Sequence, residues 1–285
     1  MAARTLSRTI ESIETSDGAG VRLRRSLGSM PGLRLDPFLM LDEFGTDRPE
    51  DYIAGFPSHP HRGFETVTYM LDGHMRHEDH MGNVGELTEG GVQWMTAGRG
   101  VIHSEMPQQK HGRMRGFQLW INLPAAEKMK PAAYRDIPAA EIPVVETEGV
   151  RVKVIAGRYG EGDAKTVGPI DGLTTEPIFY DVHLAPDQRF GTAVPPAHAA
   201  FVYPYEGELA VGPDGQRLGV QALGILQNGD RVEVQSGGEE TRFIFLAGKP
   251  LNEPVAQYGP FVMNTKEEIE QAIADYRSGR LVATG

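Results

Sequence analysis

The sequence predicts an all-β protein made of two similar sandwich-like domains and closed by one amphipathic helix. Three observations carry this reading. Most of the 285 residues fall into short runs rich in β-branched and aromatic side chains, separated by turns drawn from 35 Gly and 20 Pro. Two strand series echo each other: TVTYMLDGHMRHED resembles AFVYPYEGELAVGPD, and GGVQWMTAG followed by an apolar strand resembles QNGDRVEVQSGG followed by TRFIFLAG. A helical period occurs clearly only near the C-terminus.

In chain order, RLRR (22–25) alternates as an exposed strand does, with Leu23 turned inward. FETVTYMLDG (64–73) is a strand ending at the Asp72-Gly73 turn. GGVQWMTAGRGVIHSE (90–105) makes two strands about a glycine-rich bend, and GRMRGFQLWINLP (112–124) makes another, stopped by Pro124. AAEKMK reads as a short helix and PAAYRDIPAAEIPVV (131–145) as a linker, which divides the chain into 1–130 and 131–285. A second series follows in VRVKVIAG, IFYDVHLAP, HAAFVYPYEGELAVG, ALGILQNGDRVEVQ and TRFIFLAG. The closing helix spans 265–278. Thr265 and Glu268 form a capping-box pattern, Ile269, Ala272, Ile273 and Tyr276 form one apolar face, and Gly279 can stop it.

Composition narrows the function. With 28 basic and 39 acidic residues the net charge is −11, which disfavours direct binding to nucleic acid or to an anionic membrane. The absence of Cys removes disulfides, thiolate metal sites and cysteine nucleophiles, and fits a reducing, cytoplasmic location. No apolar run is long enough to span a membrane. There is also no G-x-S-x-G, phosphate loop or dinucleotide fingerprint.

What remains is histidine chemistry. In HPHRGFE, His59 and His61 are two apart and share a face if the segment is extended. GRGVIHSEMP (98–107) offers a second same-face pair, His103 and Glu105. Three imidazoles and a carboxylate without thiolate suit Fe(II), Mn, Co, Ni, Cu or Zn better than Ca or Mg, and four ligands on a six-coordinate ion leave open positions. Glu65 has the same parity as His59 and His61, so spacing alone does not choose between Glu65 and Glu105.

FPSHPHRGFETVTYMLDG (56–73), QWMTAGRGVIHSEMP (93–107), GFQLWINLP (116–124), YGPFVMNTKEEIEQAI (258–273) and LDPFLMLDEFG (35–45) together resemble the pirin family along nearly the whole chain. The resemblance implies a bicupin: two face-to-face β-barrel (jelly-roll) domains, with a metal-binding cupin domain in 1–130 and a cupin domain without a metal site in 131–285. It implies one divalent metal, foremost Fe2+, on His59, His61, His103 and Glu105, with Glu65 a hydrogen-bonded neighbour. The equivalent stretch of the second half, PPAHAAFVYPYEG, keeps only His198, too few donors for a metal.

Around the site, Phe56, Phe64, Met95 and Gln118 are candidate pocket residues. Arg62 and Arg99 flank the ligand pairs, where they could orient an anion or, in the preferred reading, pair with Glu65 or another carboxylate. His74, His77 and His80 read as a solvated loop at the mouth of the site, and His111 as surface. The family resemblance implies a dioxygenase similar to quercetin 2,3-dioxygenase, with a flavonol or catechol-type substrate and O2, in which Glu105 serves as ligand and as proton acceptor. The alternative it implies is a metal-dependent, redox-sensing binding protein acting on a protein partner, such as a transcription factor or a metabolic enzyme. A solvent-connected cavity at the metal separates the two.

Overall fold

Strand pairing in the computed structural model, which describes residues 2–160, 162 and 165–282, produces one architecture twice. In one unit a seven-stranded sheet runs in the order Ala133–Ile137, Val92–Thr96, Phe64–Asp72, Met114–Asn122, Phe38–Thr46, Val21–Arg25, Ile13–Asp17. A four-stranded sheet accompanies it, ordered Phe56–His61, Val101–Pro107, His74–Asp79, Val84–Thr88. The other unit has a seven-stranded sheet ordered Thr5–Glu11, Ala222–Gln227, Ala199–Glu206, Thr241–Gly248, Ile178–Leu184, Val150–Ala156, Val144–Thr147. Its four-stranded sheet is Arg189–Ala193, Arg231–Ser236, Leu209–Val211, Gln216–Leu218. Both are jelly-roll sandwiches, so the expected all-β, bicupin class holds. Among the described residues no helix is long and apolar enough to cross a membrane.

The repeated order refines the internal echo. TVTYMLDGHMRHED and AFVYPYEGELAVGPD do occupy corresponding hairpins. The other pair is displaced by one strand, because Val92–Thr96 corresponds to Ala222–Gln227 and Val101–Pro107 to Arg231–Ser236. A glycine-containing turn precedes Val92–Thr96 and Arg231–Ser236 alike, and that shared turn chemistry makes the two stretches look alike.

The units also exchange their ends. One gathers the described residues of Met1–Ile13, Leu35–Pro37 and Ala140–Pro250, the other those of Glu14–Arg34, Phe38–Ala139 and Leu251–Gly285. A single division at 130/131 misses this, since Thr5–Glu11 pairs with Ala222–Gln227 and the C-terminal segment belongs with the His59 unit. The supposed linker contributes an edge strand, Ala133–Ile137, laddered to Val92–Thr96. AAEKMK forms only a 3-10 turn, Ala125–Glu127.

The terminal helix forms at Lys266–Arg277 for the reasons its sequence gives. Glu268 N donates to Thr265 Oγ1 at 3.2 Å and Thr265 N to Glu268 Oε2 at 3.0 Å, closing the capping box. Gly279 follows with φ +73°, the left-handed conformation that ends a helix. Ile269 and Ala272 are buried against Phe261, Met263 and Leu281, whereas Tyr276 stays largely exposed.

Lys128 fastens this tail to the sandwich. Only 1% exposed, it donates from Nζ to Gly63 O (2.7 Å), Asn122 Oδ1 (2.7 Å) and Val262 O (2.9 Å). Gly63 has φ +91°, and a Cβ there would lie 2.0 Å from the Val262 carbonyl oxygen, so only glycine permits the approach. Lys128→Met should lower the unfolding free energy by about 2–4 kcal/mol in urea titration, because three buried acceptors lose their donor. Burial pushes the Lys128 amine down from 10.5 to about 8. Between these values the unfolded chain holds more protons, so stability should rise with pH across that window relative to Lys128→Met.

Candidate metal centre

Two paired strands of the four-stranded sheet bring three of the four predicted ligands together, the imidazoles. Phe56–His61 and Val101–Pro107 run antiparallel, with His103 opposite His59 and Val101 opposite His61. Ligand nitrogens of His59, His61 and His103 all lie within 4.8 Å of one another, and among the described residues no other three His, Asp or Glu do so. His59 Nδ1 is 2.8 Å from the Pro57 carbonyl, which can only accept, so Nδ1 carries the proton and Nε2 presents its lone pair. His59 Nε2 and His61 Nε2 are 3.0 Å apart. Burial first, and the neighbouring imidazoles second, hold His61 and His103 well below the ordinary histidine range, so both are neutral donors at pH 7. His103 Nε2 is buried without a hydrogen-bond partner. Converging neutral imidazoles with an orphaned nitrogen fit a divalent cation of the borderline class.

Glu105 is placed differently from the imidazoles. The ladder slips between His103 and Glu105, leaving Glu105 opposite Phe56, and its carboxylate is outside the 4.8 Å group. It is buried, and Thr68 Oγ1 lies 2.9 Å from its Oε1. The same hydroxyl is 2.6 Å from the Gln118 side-chain amide. A hydroxyl has one proton, and the carboxylate can only accept, so Thr68 donates to Glu105 and Gln118 turns its NH2 toward Thr68. Register extends this chain across the seven-stranded sheet: Arg25 faces Asp42, Asp42 faces Gln118, Gln118 faces Thr68, Thr68 faces Gln93, and Gln93 faces Asp136. Arg25 grips Asp42 bidentately at 2.7 and 2.6 Å, and Gln93 Nε2 donates to Asp136 Oδ1 at 2.8 Å. Burial pushes the Asp42 carboxyl up to about 6 against the opposing pull of Arg25.

A cavity of about 610 Å³ opens beside the imidazoles. His59, His61, Glu105, Gln118 and Asp42 line it together with apolar Leu23, Met40, Phe44, Phe56 and Trp120. Phe56 and Gln118 are thus both in its wall. Met95 does not line this cavity, because its side of the strand packs with Ala97 and Val101 in the core. Phe64 stacks on Trp120 and touches the His61 ring edge-on, with centroids 4.3 and 5.1 Å away.

The flanking residues are mostly structural. Arg62 pairs with Asp275 of the terminal helix at 2.8 Å rather than with Glu65, and its Nε donates to the Arg99 carbonyl. Arg99 points its own side chain to solvent, so it contributes backbone only. Glu65 accepts from Thr96 Oγ1 at 2.7 Å, and burial raises its pKa. His74 pairs with Glu86 and His80 accepts from the Ile102 amide, as a polar rim should. His77 departs from the expected solvated loop: it is 1% exposed, with Nε2 2.8 Å from His103 Nδ1. The signal was present in HMRHED, where strand alternation puts His77 on the side of buried Met75. His198 is buried beside Glu176, without further imidazoles. The strands that correspond to the ligand strands in its unit turn Phe190, Val232 and Val234 into an apolar core.

Comparison with known proteins agrees with this geometry. The family model described as Pirin matches residues 20–121, and the one described as Pirin C-terminal cupin domain matches 179–282. A Pseudomonas aeruginosa protein provisionally named quercetin 2,3-dioxygenase is 55% identical over 93% of this chain and 94% of its own length. Human pirin is 41% identical over 98% and 94%. A crystal structure of quercetin 2,3-dioxygenase from Acinetobacter baumannii superposes with a TM-score of 0.89 at 35% identity, covering 99% of both chains.

Because Thr68 supplies the donor that holds Glu105, Thr68→Val should keep the packing volume yet cost about 1–3 kcal/mol of stability, measured by chemical denaturation of the metal-free protein.

Proposed function

The chain belongs to the pirin family, and from that premise we propose that it is a metal-dependent dioxygenase that opens the central ring of flavonols such as quercetin with O2, releasing carbon monoxide. The observation that carries this reading is the cavity, which joins the imidazole cluster and Glu105 to a space of about 610 Å³ walled by aromatic and aliphatic side chains. A pocket of that volume accommodates a flat polyphenol, whereas a metal-sensing protein partner needs no such space. The names of the Pseudomonas aeruginosa and Acinetobacter baumannii relatives point to the same activity.

His59, His61 and His103 would hold the metal, with Glu105 as the fourth ligand, and Fe2+ suits nitrogen and carboxylate donors. Such an ion lowers the pKa of a bound hydroxyl and places it beside O2. The remaining work falls to the chain. Pro57 fixes the His59 tautomer through Nδ1. Thr68 occupies Glu105 Oε1 and leaves Oε2 to serve in turn as ligand atom and as acceptor of the substrate's 3-hydroxyl proton. Phe56, Met40 and Trp120 stack on the flat rings and exclude water, while Gln118 and the Arg25–Asp42 pair offer polar partners to ring hydroxyls.

Protein reconstituted with Fe2+ should consume O2 when quercetin is added and release carbon monoxide, followed with an oxygen electrode and a haem-based CO assay. His59→Ala should reduce the rate at least about 100-fold. No O2 uptake with any flavonol, from protein that metal analysis shows to be loaded, would overturn the proposal.

A further inference from the structure

His77 is a buried histidine that the proposed chemistry does not use. It stands opposite Glu105 on the neighbouring strand, and its ring reaches diagonally to His103. Nε2 of His77 lies 2.8 Å from Nδ1 of His103, on the far side of the His103 ring from the orphaned Nε2. His77 is therefore outside the cluster of cation-binding nitrogens and directly behind one of its members.

We propose that His77 is a positioning residue that accepts the Nδ1 proton of His103, fixing the tautomer in which His103 Nε2 offers its lone pair to the metal. The inference rests on the metal-centre reading above. Its logic is proton counting. Only one proton lies between the two nitrogens. If His77 donated it, neutral His103 would carry its own proton on Nε2, aimed at the other imidazoles and useless to a cation. If His103 donates it, Nε2 is free and His77 keeps its proton on Nδ1. Both outer nitrogens, His103 Nε2 and His77 Nδ1, are buried without a hydrogen-bond partner, so hydrogen bonding does not choose between the arrangements; the convergence of His103 with His59 and His61 does, because a proton on His103 Nε2 would face imidazole nitrogens where a cation needs lone pairs. Ligand histidines elsewhere usually give this second proton to a carboxylate or carbonyl. A neutral imidazole is a weaker acceptor, so His103 here retains less imidazolate character and binds the ion more softly than a carboxylate-backed histidine.

Two variants test this, His77→Leu, which removes the acceptor, and His77→Gln, whose amide oxygen can replace Nε2. On metal-free protein, long-range 1H–15N correlation should find His103 protonated at Nδ1 in the native chain and in His77→Gln. It should find His103 shifted to the Nε2–H form in His77→Leu. Fe2+ or Co2+ titration, without any substrate, should show about 10- to 100-fold weaker binding for His77→Leu and recovery to within a few-fold for His77→Gln. A native His103 protonated at Nε2 would overturn the proposal. So would equal metal affinity in all three proteins, while leaving the catalytic reading intact. Should His77→Leu fail to fold, folded His77→Gln with the Nε2–H tautomer overturns it as well. Native flavonol activity with none of these shifts separates the two proposals, and loss of activity with the tautomers as stated fails the first alone.

Discussion

The ammonium of Lys128 is the constraint on which the metal unit depends. One buried cation holds the turn that follows His61, the end of the strand carrying Gln118, and the hairpin of the C-terminal segment. A buried charge is tolerable only when its donors are all satisfied, and three oxygens at hydrogen-bonding distance meet that condition. Arg62 repeats the device one residue before Gly63. Its backbone bridges to Pro260 and Val262, and its guanidinium reaches the terminal helix through Asp275. The positions of His59 and His61 are thus set by groups some two hundred residues away in sequence.

Inside the sandwich, an apolar cluster and a polar rung lie side by side and meet at the cavity, where Leu23 and Phe44 line the wall with Asp42 and Gln118. Leu23, Phe44, Met70, Met75 and Met114 fill one end as an ordinary core. The rung from Arg25 to Asp136 crosses the sheet beside them, and the imidazoles lie in the opposite sheet. Every strand of the rung gives one polar side chain at the same register level, so satisfaction is collective: Thr68 serves Glu105 only because Gln118 serves Thr68. In the sister unit Val232, Val234 and Phe190 occupy the corresponding strands and join an apolar core. One architecture therefore carries an imidazole cluster in one unit and packed apolar side chains in the other according to a few inward positions.

Local signals in the text were legible. The same-face His-x-His pair, the Asp72-Gly73 turn and the capping box at Thr265 describe interactions within a few residues and each formed, whereas the ladder slips between His103 and Glu105 and leaves that carboxylate outside the imidazole group. Properties fixed by register were not legible. Alternation with Met75 turns His77 inward, but that its ring meets His103 depends on which strand lies beside it, and Arg62 finds Asp275 rather than Glu65 because the terminal helix packs over the turn. Met95 was misplaced for the same reason: alternation shows that it faces a side, not what covers that side. The exchange of chain ends between units lay beyond any local pattern, since both linker composition and strand echoes suggested one simple cut.

That exchange has a temporal meaning. Residues 251–282 are synthesised after the rest of this unit, yet they supply the hairpin and helix that brace the His59 turn. All four candidate ligands are synthesised more than a hundred residues earlier and must wait for that brace. Domains ordinarily fold in order of emergence, N-terminal first. Here the His59 unit reaches its finished form only after residues 251–282 have emerged, so a stop placed before them would leave the candidate ligands without their brace.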